Sequence, residues 1–353
     1  MEIYILLFLV LLVFVFLENR NTGVPAIYKF SIVIAAIIIS GFRYEVGNDY
    51  DNYVDMFYKP DNYFAIEPGF KALIGFINNM GGNPQMLFLV CTLAAIIPLA
   101  IIIQKFVPTY FMTAFATYVF TYIYFEGMNT IRQAISMSLV LVAVCMYVNY
   151  KKLYIYISLV TLAMLFHISA LFVGGICLLL YRFSGSKLRI NFFFVLLLFS
   201  FVAGYFIKDY MGIISDIVGG MAYDRYLDRV EQRGVNGGLF HIVLNIYAIA
   251  LMLYTRKKEG MYSLFEKTSI KLFVLSIVTY NFFFNFYIGL RLYWYFYLFS
   301  IFVVPLIIRD CKRGYRFLLF LAIMMVFIVY TIVSLDTPSY NTYSINFSLD
   351  KPM

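Results

Sequence analysis

The chain reads as an all-α, polytopic integral membrane protein, and three observations predict it. Of its 353 residues 63% are hydrophobic and only 13% charged, more apolar surface than one soluble core can use. The apolar residues fall in runs close to the roughly 20 residues that a helix needs to cross the hydrocarbon core. The basic residues gather in alternate gaps between those runs, as positive-inside topology requires. The net charge of +8 does not point to nucleic acid, because the Lys and Arg residues are scattered without a basic stripe or a recognition motif. Cys91, Cys145, Cys177 and Cys311 lack CxxC and Cys/His spacing, which argues against a disulfide framework or a zinc site.

Taken in order, the runs are 3–17, 26–42, 84–103, 109–125, 130–149, 153–181, 190–207, 239–255, 268–285, 291–308 and 315–333. The first follows Met1-Glu2 without a basic region and meets the charged turn Glu18-Asn19-Arg20 without a small-residue cleavage signal, so it reads as a retained helix. The run 153–181, at 29 residues, is long for one crossing and short for two. If it makes two passes, the cytoplasmic turns are 18–29, 104–108, 150–152, 182–189, 256–271 and 309–316, holding 17 of the 27 Lys+Arg and 4 of the 19 Asp+Glu. If it crosses once, only 11 of the 27 basic residues stay inside. The two-pass reading wins. It predicts about twelve crossings, both termini extracytoplasmic, and His167 at the tip of a short helical hairpin; a single tilted helix is the alternative.

The whole chain, 1–353, reads as one polytopic membrane domain with two larger outer segments, 43–84 and 208–239. The first carries Glu45, Asp49, Asp51, Asp55, Asp61 and Glu67, then Phe70, Leu73, Ile74 and Ile77 at i, i+3, i+4, i+7, with Pro68 acceptable in a first turn; this predicts an interfacial helix ending near Gly81-Gly82. In the second, the Asp and Arg residues between Tyr223 and Gly234 recur at three- and four-residue spacings and suit a surface helix.

Arg43, Arg132, His167 and Arg291 lie within or at the rims of apolar runs, where an ionisable group costs roughly 2.5–3.5 kcal/mol. Gly47 permits a tight turn that would set Asp49 against Arg43. The Asp49-Tyr-Asp51 spacing looks like the metal-binding acid pair of many glycosyltransferases, but the pattern is common by chance, and no metal or cofactor is assigned. Arg132 falls in the first turn of a helix capped by Asn129 or Thr130, where the macrodipole disfavours a cation. An anion resolves the conflict: Glu126, or a ligand phosphate that the planar guanidinium binds bidentately. His167 reads either as a packed histidine or as a general base or phosphate donor. Arg291 opens an aromatic stretch expected at the interface. With Arg225, Arg229 and Arg233 these residues put a basic cluster, carboxylates and one histidine toward the outer face.

The stretches Arg43-Tyr-Glu-Val-Gly-Asn-Asp-Tyr-Asp-Asn-Tyr53, Glu67-Pro-Gly-Phe70, Asn129-Thr-Ile-Arg-Gln-Ala134, Phe166-His-Ile-Ser-Ala-Leu171 and Arg291 with its Tyr/Phe follow-on resemble, in order and spacing, the EpsG family of bacterial polysaccharide polymerases, functional relatives of the Wzy O-antigen polymerases. Asn48 departs from the small hydroxyl residue the family more often has there. The resemblance implies a GT-C-like, inverting, metal-independent glycosyltransferase of the bacterial inner membrane, with undecaprenyl-diphosphate-linked oligosaccharide as donor and acceptor. A chain-length regulator and a lipid-linked-sugar flippase are the partners it implies. On this footing a base, Asp49 or His167, deprotonates the acceptor, Arg43 orients Asp49, and Arg132 and Arg291 hold the diphosphate. Gln133, Glu67 and Tyr53 are further substrate contacts, while Arg225 and Arg229 are helpers by charge alone. The competing readings are a polysaccharide ligase, a flippase of the lipid-linked unit and a membrane acyltransferase.

Overall fold

A computed structural model of the chain describes residues 1–20, 24–63, 66–184, 190–218, 238–284, 287–341 and 343–349. These are helical apart from short 3-10 turns, loops and one two-residue β pair, and they fall into two compact units, Met1–Gly175 with Ser300–Met353, and Ile176–Phe299. Among the described residues, five helical stretches are long and apolar enough to cross a membrane, Glu2–Arg20, Pro84–Phe106, Ile131–Tyr150, Gly289–Arg309 and Arg313–Leu335, and five further apolar helices are shorter. The all-α, integral-membrane reading therefore stands.

In the first unit, α1 (Glu2–Arg20), α2 (Ala26–Gly41), α5 (Pro84–Phe106), α6 (Phe111–Phe120) and α8 (Ile131–Tyr150) pack with α15 (Ser300–Arg309) and α16 (Arg316–Leu335). Helix α5 lies between α2 and α8, and α6 between α1 and α15. α5 starts where the sequence dictates: Asn83 accepts from the Met86 N–H at 3.1 Å and Pro84 needs no amide partner in the first turn. The run 109–125, expected as one helix, is broken, because Tyr122 adopts a left-handed conformation (φ 68°) and a separate α7 (Ile123–Asn129) follows. The gap left between the runs 109–125 and 130–149 is thus helical as well.

The ambiguous run 153–181 is two helices, α9 (Leu153–Met164) and α10 (Ser169–Ser184). They fold back on each other: the Tyr156 hydroxyl donates to the Gly174 carbonyl at 2.5 Å, and a Cβ on Gly174 would lie 2.6 Å from Val160. His167 sits at the tip between them, as the two-pass reading expects.

Hydrogen bonds sort the loops of this unit into two ends. At one end the Met1 amino group donates to the Asn341 carbonyl (3.2 Å), Asn346 N–H to Phe42 (2.9 Å) and Gly47 N–H to Ser339 (2.9 Å), while β1 (Arg43–Tyr44) pairs antiparallel with β2 (Ser344–Ile345). At the other, Lys29 donates to the Gln104 side chain (3.2 Å) and the Pro108 carbonyl (2.8 Å), Arg313 to the Arg20 carbonyl, and Arg316 to the Arg309 carbonyl (3.1 Å). Arg20, Lys29, Gln104, Pro108, Arg309, Arg313 and Arg316 therefore share an end, opposite Met1, Asn341 and Asn346. There too the buried Glu18 carboxylate of α1 accepts from the Met112 and Thr113 amides (2.7 and 2.8 Å) and the Thr113 hydroxyl (2.7 Å). It supplies an anion to the positive end of α6 and partners for its orphan amides.

The second unit holds α11 (Ile190–Val218), α12 (Gly238–Arg256), α13 (Leu264–Phe283) and α14 (Tyr287–Tyr297). α13 opens with a capping box between Ser263 and Glu266. Asn281 exchanges hydrogen bonds with Asn245 (2.8 Å each way), donates to Ser200 Oγ (3.0 Å) and meets His241 Nε2 at 2.7 Å. This is polar glue between helices. Gly204 lets α11 approach, since a Cβ there would fall 1.9 Å from the Asn281 carbonyl oxygen. Helix continues through Val218, into the stretch read from sequence as an outer segment beginning at 208; Arg225, Arg229, Arg233 and the expected surface helix lie outside the described residues.

Glu18→Ala strands the two α6 amides in a buried site and is expected to destabilise by about 1–3 kcal/mol, with Glu18→Gln milder because it keeps an acceptor oxygen. Thermal unfolding of the detergent-solubilised variants measures the difference.

Candidate functional site

The segment 43–84 is more structured than its sequence suggests. An unexpected helix α3 (Tyr50–Tyr58) precedes the expected amphipathic one, α4 (Pro68–Asn79). Tyr50, Tyr53, Met56 and Phe57 pack with Phe70, Ile74 and Ile77 of α4 and with Phe88 of α5, all buried. The i, i+3, i+4, i+7 face of α4 is thus the packed face, and α4 ends at the positive-φ Gly81 (φ 76°).

Arg43 does not do what its position suggested. Its side chain is fully buried, and it donates to the Ser40 carbonyl at 2.5 Å, the Val46 carbonyl at 3.2 Å and the Met128 carbonyl at 2.8 Å, with its guanidinium 4.5 Å above the Phe88 ring. Ser40 and Met128 lie at the C-terminal ends of α2 and α7, where helix dipoles favour a cation. Carbonyls, not Asp49, hold this charge. Gly47 does make the tight turn (φ 102°), but toward α7, where a Cβ would lie 3.0 Å from Asn129 Oδ1. Asp49 is half-buried at the start of α3 and accepts from Asn52 at 3.2 Å. Asn129 accepts from the Asn48 amide at 2.9 Å, and Thr130 turns its hydroxyl to the Glu126 carbonyl, so neither side chain caps α8.

Four of the sequence-predicted residues do converge, Glu67, Arg132, His167 and Tyr53. Glu67, at the N-cap position of α4, accepts from Arg132 in the first turn of α8 through Oε2 and meets His167 Nδ1 at 2.8 Å through Oε1. Side-chain exposures of 13% for Glu67, 19% for Arg132 and 9% for His167 mark the cluster as largely buried. Arg132 also hydrogen-bonds the hydroxyl of Tyr53 from α3 and lies 5.7 Å above the Phe70 ring. Gln133 is buried in the next position of α8.

Local sequence explains the meeting. In Glu67-Pro-Gly-Phe70, Pro68 starts the helix and Phe70 floors Arg132. Gly69 lets α4 touch the α9–α10 tip: its amide donates to the Leu165 carbonyl at 2.9 Å, and a Cβ would come within 2.8 Å of the same oxygen. His167 is set by its amide on Ala163 (3.0 Å), and α9 is tied to α8 by Ser136 Oγ on that carbonyl (3.0 Å). The anion sought for Arg132 in Glu126 or a ligand is supplied by Glu67, 65 residues upstream. Burial alone would raise the Glu67 carboxyl, but the His167 hydrogen bond and the Arg132 charge outweigh it and hold it below its ordinary range. Arg291 is half-buried in α14 of the second unit.

With this geometry in place, the comparison with known families is decisive: the EpsG family model matches residues 26–347. The chain belongs to the EpsG family. The match takes in the Arg43 turn, the Glu67–Arg132–His167 cluster and Arg291. As an EpsG-family membrane protein the chain takes its part in polysaccharide biosynthesis. No curated protein and no solved structure matches it.

Two outcomes follow. Arg43→Ala leaves three carbonyls without their donor and is expected to destabilise by on the order of 3 kcal/mol; size-exclusion chromatography should recover less monodisperse protein. A catalytic Arg43 would instead give normal recovery with lost activity. Because the folded pKa of Glu67 lies below its unfolded one, the stability its pairing contributes is full above the ordinary carboxylate value of about 4.3 and lost as pH falls through the folded value. Glu67→Gln should flatten that acid limb of a stability-against-pH curve.

Proposed function

We propose that this EpsG-family protein is a polysaccharide polymerase of the bacterial inner membrane that joins undecaprenyl-diphosphate-linked repeat units by inverting, metal-independent glycosyl transfer. The observation that carries the reading is the convergence of Glu67, Arg132, His167 and Tyr53, drawn from separate stretches of the chain, at the end of the first unit opposite the basic turns. Positive-inside orientation puts the basic turns in the cytoplasm, hence both termini and the cluster at the outer face of a GT-C-like bundle of about twelve crossings.

An arginine whose guanidinium is held by a carboxylate, yet is partly exposed, suits a diphosphate, which offers the same planar, bidentate geometry with more charge. Arg132 takes that role. The acceptor hydroxyl loses its proton to Asp49 or His167, the oxygen attacks the anomeric carbon, and the lipid diphosphate leaves against Arg132. Tyr53 and Gln133 line the same site. A chain-length regulator and a lipid-linked-sugar flippase are the partners this reading expects.

The test is a gel of surface polysaccharide from a strain lacking the protein, with wild type or Arg132→Ala restored at matched membrane levels. Collapse of the ladder to a single repeat in both the null and the variant is expected, with a loss of polymer by about a hundredfold or more. Long lipid-linked polymer that is never transferred would instead identify a ligase. An unchanged ladder would move the reading to a flippase, which flux into vesicles would detect.

A further inference from the structure

Glu67 carries two partners on two oxygens, and the two are not alike. Arg132 is a donor under any conditions, so its bond to Oε2 needs only an ionised carboxylate. The bond between Oε1 and His167 Nδ1 (2.8 Å) carries more information. An ionised carboxylate is an acceptor only, so Nδ1 must be the donor. When the imidazole holds a single proton, that proton is on Nδ1 and the lone pair is on Nε2.

Nε2 itself is buried and has no hydrogen-bond partner among the described residues. A buried acceptor without a donor is unfavourable and uncommon in folded proteins, and each instance asks for an explanation. Three further contacts make the geometry firm. The His167 amide is fixed on Ala163 (3.0 Å), the tip is fastened to α4 through Gly69 on Leu165 (2.9 Å), and Glu67 is clamped from its other side by Arg132. An entering hydroxyl that donates to Nε2 breaks no existing hydrogen bond of the ring.

From this juxtaposition we propose that Glu67 is a positioning residue that locks His167 with its proton on Nδ1, presenting Nε2 as the atom that accepts the acceptor sugar's hydroxyl proton. The proposal rests on the glycosyl-transfer reading above and settles its choice of base in favour of His167. In the step, the hydroxyl proton moves to Nε2 as a bond forms between the hydroxyl oxygen and the anomeric carbon of the donor. The bond from that carbon to the lipid diphosphate breaks, and its electron pair leaves with the diphosphate. The resulting imidazolium carries a proton on each nitrogen, is stabilised by Glu67, and returns the Nε2 proton to water. Glu67 touches no substrate in this scheme, in contrast to the substrate contact that the family resemblance assigned it.

The chain has two histidines, so nitrogen-15 NMR of the histidine-labelled protein in lipid gives a spectrum that can be assigned by loss of signals in His167→Gln. The result expected for wild type is a singly protonated His167 with its proton on Nδ1. Glu67→Gln, whose amide can donate as well as accept, should populate the Nε2–H form, and polymer should fall by about a hundredfold at matched levels of folded protein. A wild-type His167 with its proton on Nε2, or an imidazolium throughout the pH range in which polymer is made, would overturn the proposal even if the variant does not fold. So would a Glu67→Gln that shifts the tautomer and leaves the polymer unchanged. The tautomer is read without substrate, whereas the ladder of the deletion strain tests the polymerase reading alone; an unchanged ladder there removes the reaction, and with it the role of Nε2, whatever the spectrum shows.

Discussion

The buried guanidinium of Arg43 is the constraint on which its end of the first unit depends. A cation placed in an apolar interior must be answered locally, and here the answer comes from carbonyls at the C-termini of α2 and α7 and from the loop between α2 and α3. Satisfying the arginine therefore fixes where two helices end relative to one another. The C-terminal segment closes over the same place. β2 pairs with the strand containing Arg43, the Ser339 carbonyl accepts from Gly47, and the Tyr340 and Tyr343 hydroxyls donate to the Phe125 and Ile39 carbonyls at 3.3 and 2.7 Å. Residues some 300 positions apart are thereby held on one charge.

That frame determines what the neighbouring cluster can be. α7 leads directly into α8, so fixing the end of α7 on Arg43 also fixes the first turn of α8, where Arg132 stands. α3 and α4 fold against α5 through Phe88, the ring that also faces Arg43. Glu67 and Tyr53 are brought to Arg132 by the apolar packing of α3 and α4 against α5. The polar contacts then select one arrangement of surfaces that the core has already brought together.

Much of the scaffold was legible from the sequence because its signals are periodic and long. Apolar runs gave most of the helices, the counting of basic residues separated α9 from α10, and a four-point apolar pattern gave the packed face of α4. The errors have local physical causes. The break at Tyr122 depends on a left-handed residue with no glycine to announce it. Helix α3 is only nine residues long and lies inside the acidic stretch, so the spacing of Tyr50, Tyr53, Met56 and Phe57 is too short a pattern to stand out. Arg43 and Asp49 are close in sequence and opposite in charge, but a buried arginine can be compensated by dipoles, which no residue letter reveals. The bonds from Glu67 to Arg132 and His167 span 65 and 100 positions; the letters were noticed, and only folding could pair them. The clue that was available is Gly69, a residue without a side chain in the first turn of an amphipathic helix, which marks a close approach by another part of the chain.

Two arginines at one end of one unit illustrate why residue type alone does not assign function. Arg43 is enclosed and bound to backbone carbonyls, so exchanging its partners would require unwinding the ends of two helices and the turn between them. Arg132 keeps 19% of its side chain exposed and is bound to side chains, a carboxylate and a phenol, rather than to the carbonyls of helix ends. A guanidinium has five donors, and a carboxylate satisfies at most two of them. Arg132 can therefore meet an incoming anion without first abandoning Glu67, whereas Arg43 has neither the access nor the freedom to do so. The distinction lies in the partner and not in the charge: the arginine that the sequence set against Asp49 is held by backbone carbonyls, and the one that it set against an anion is held by a carboxylate.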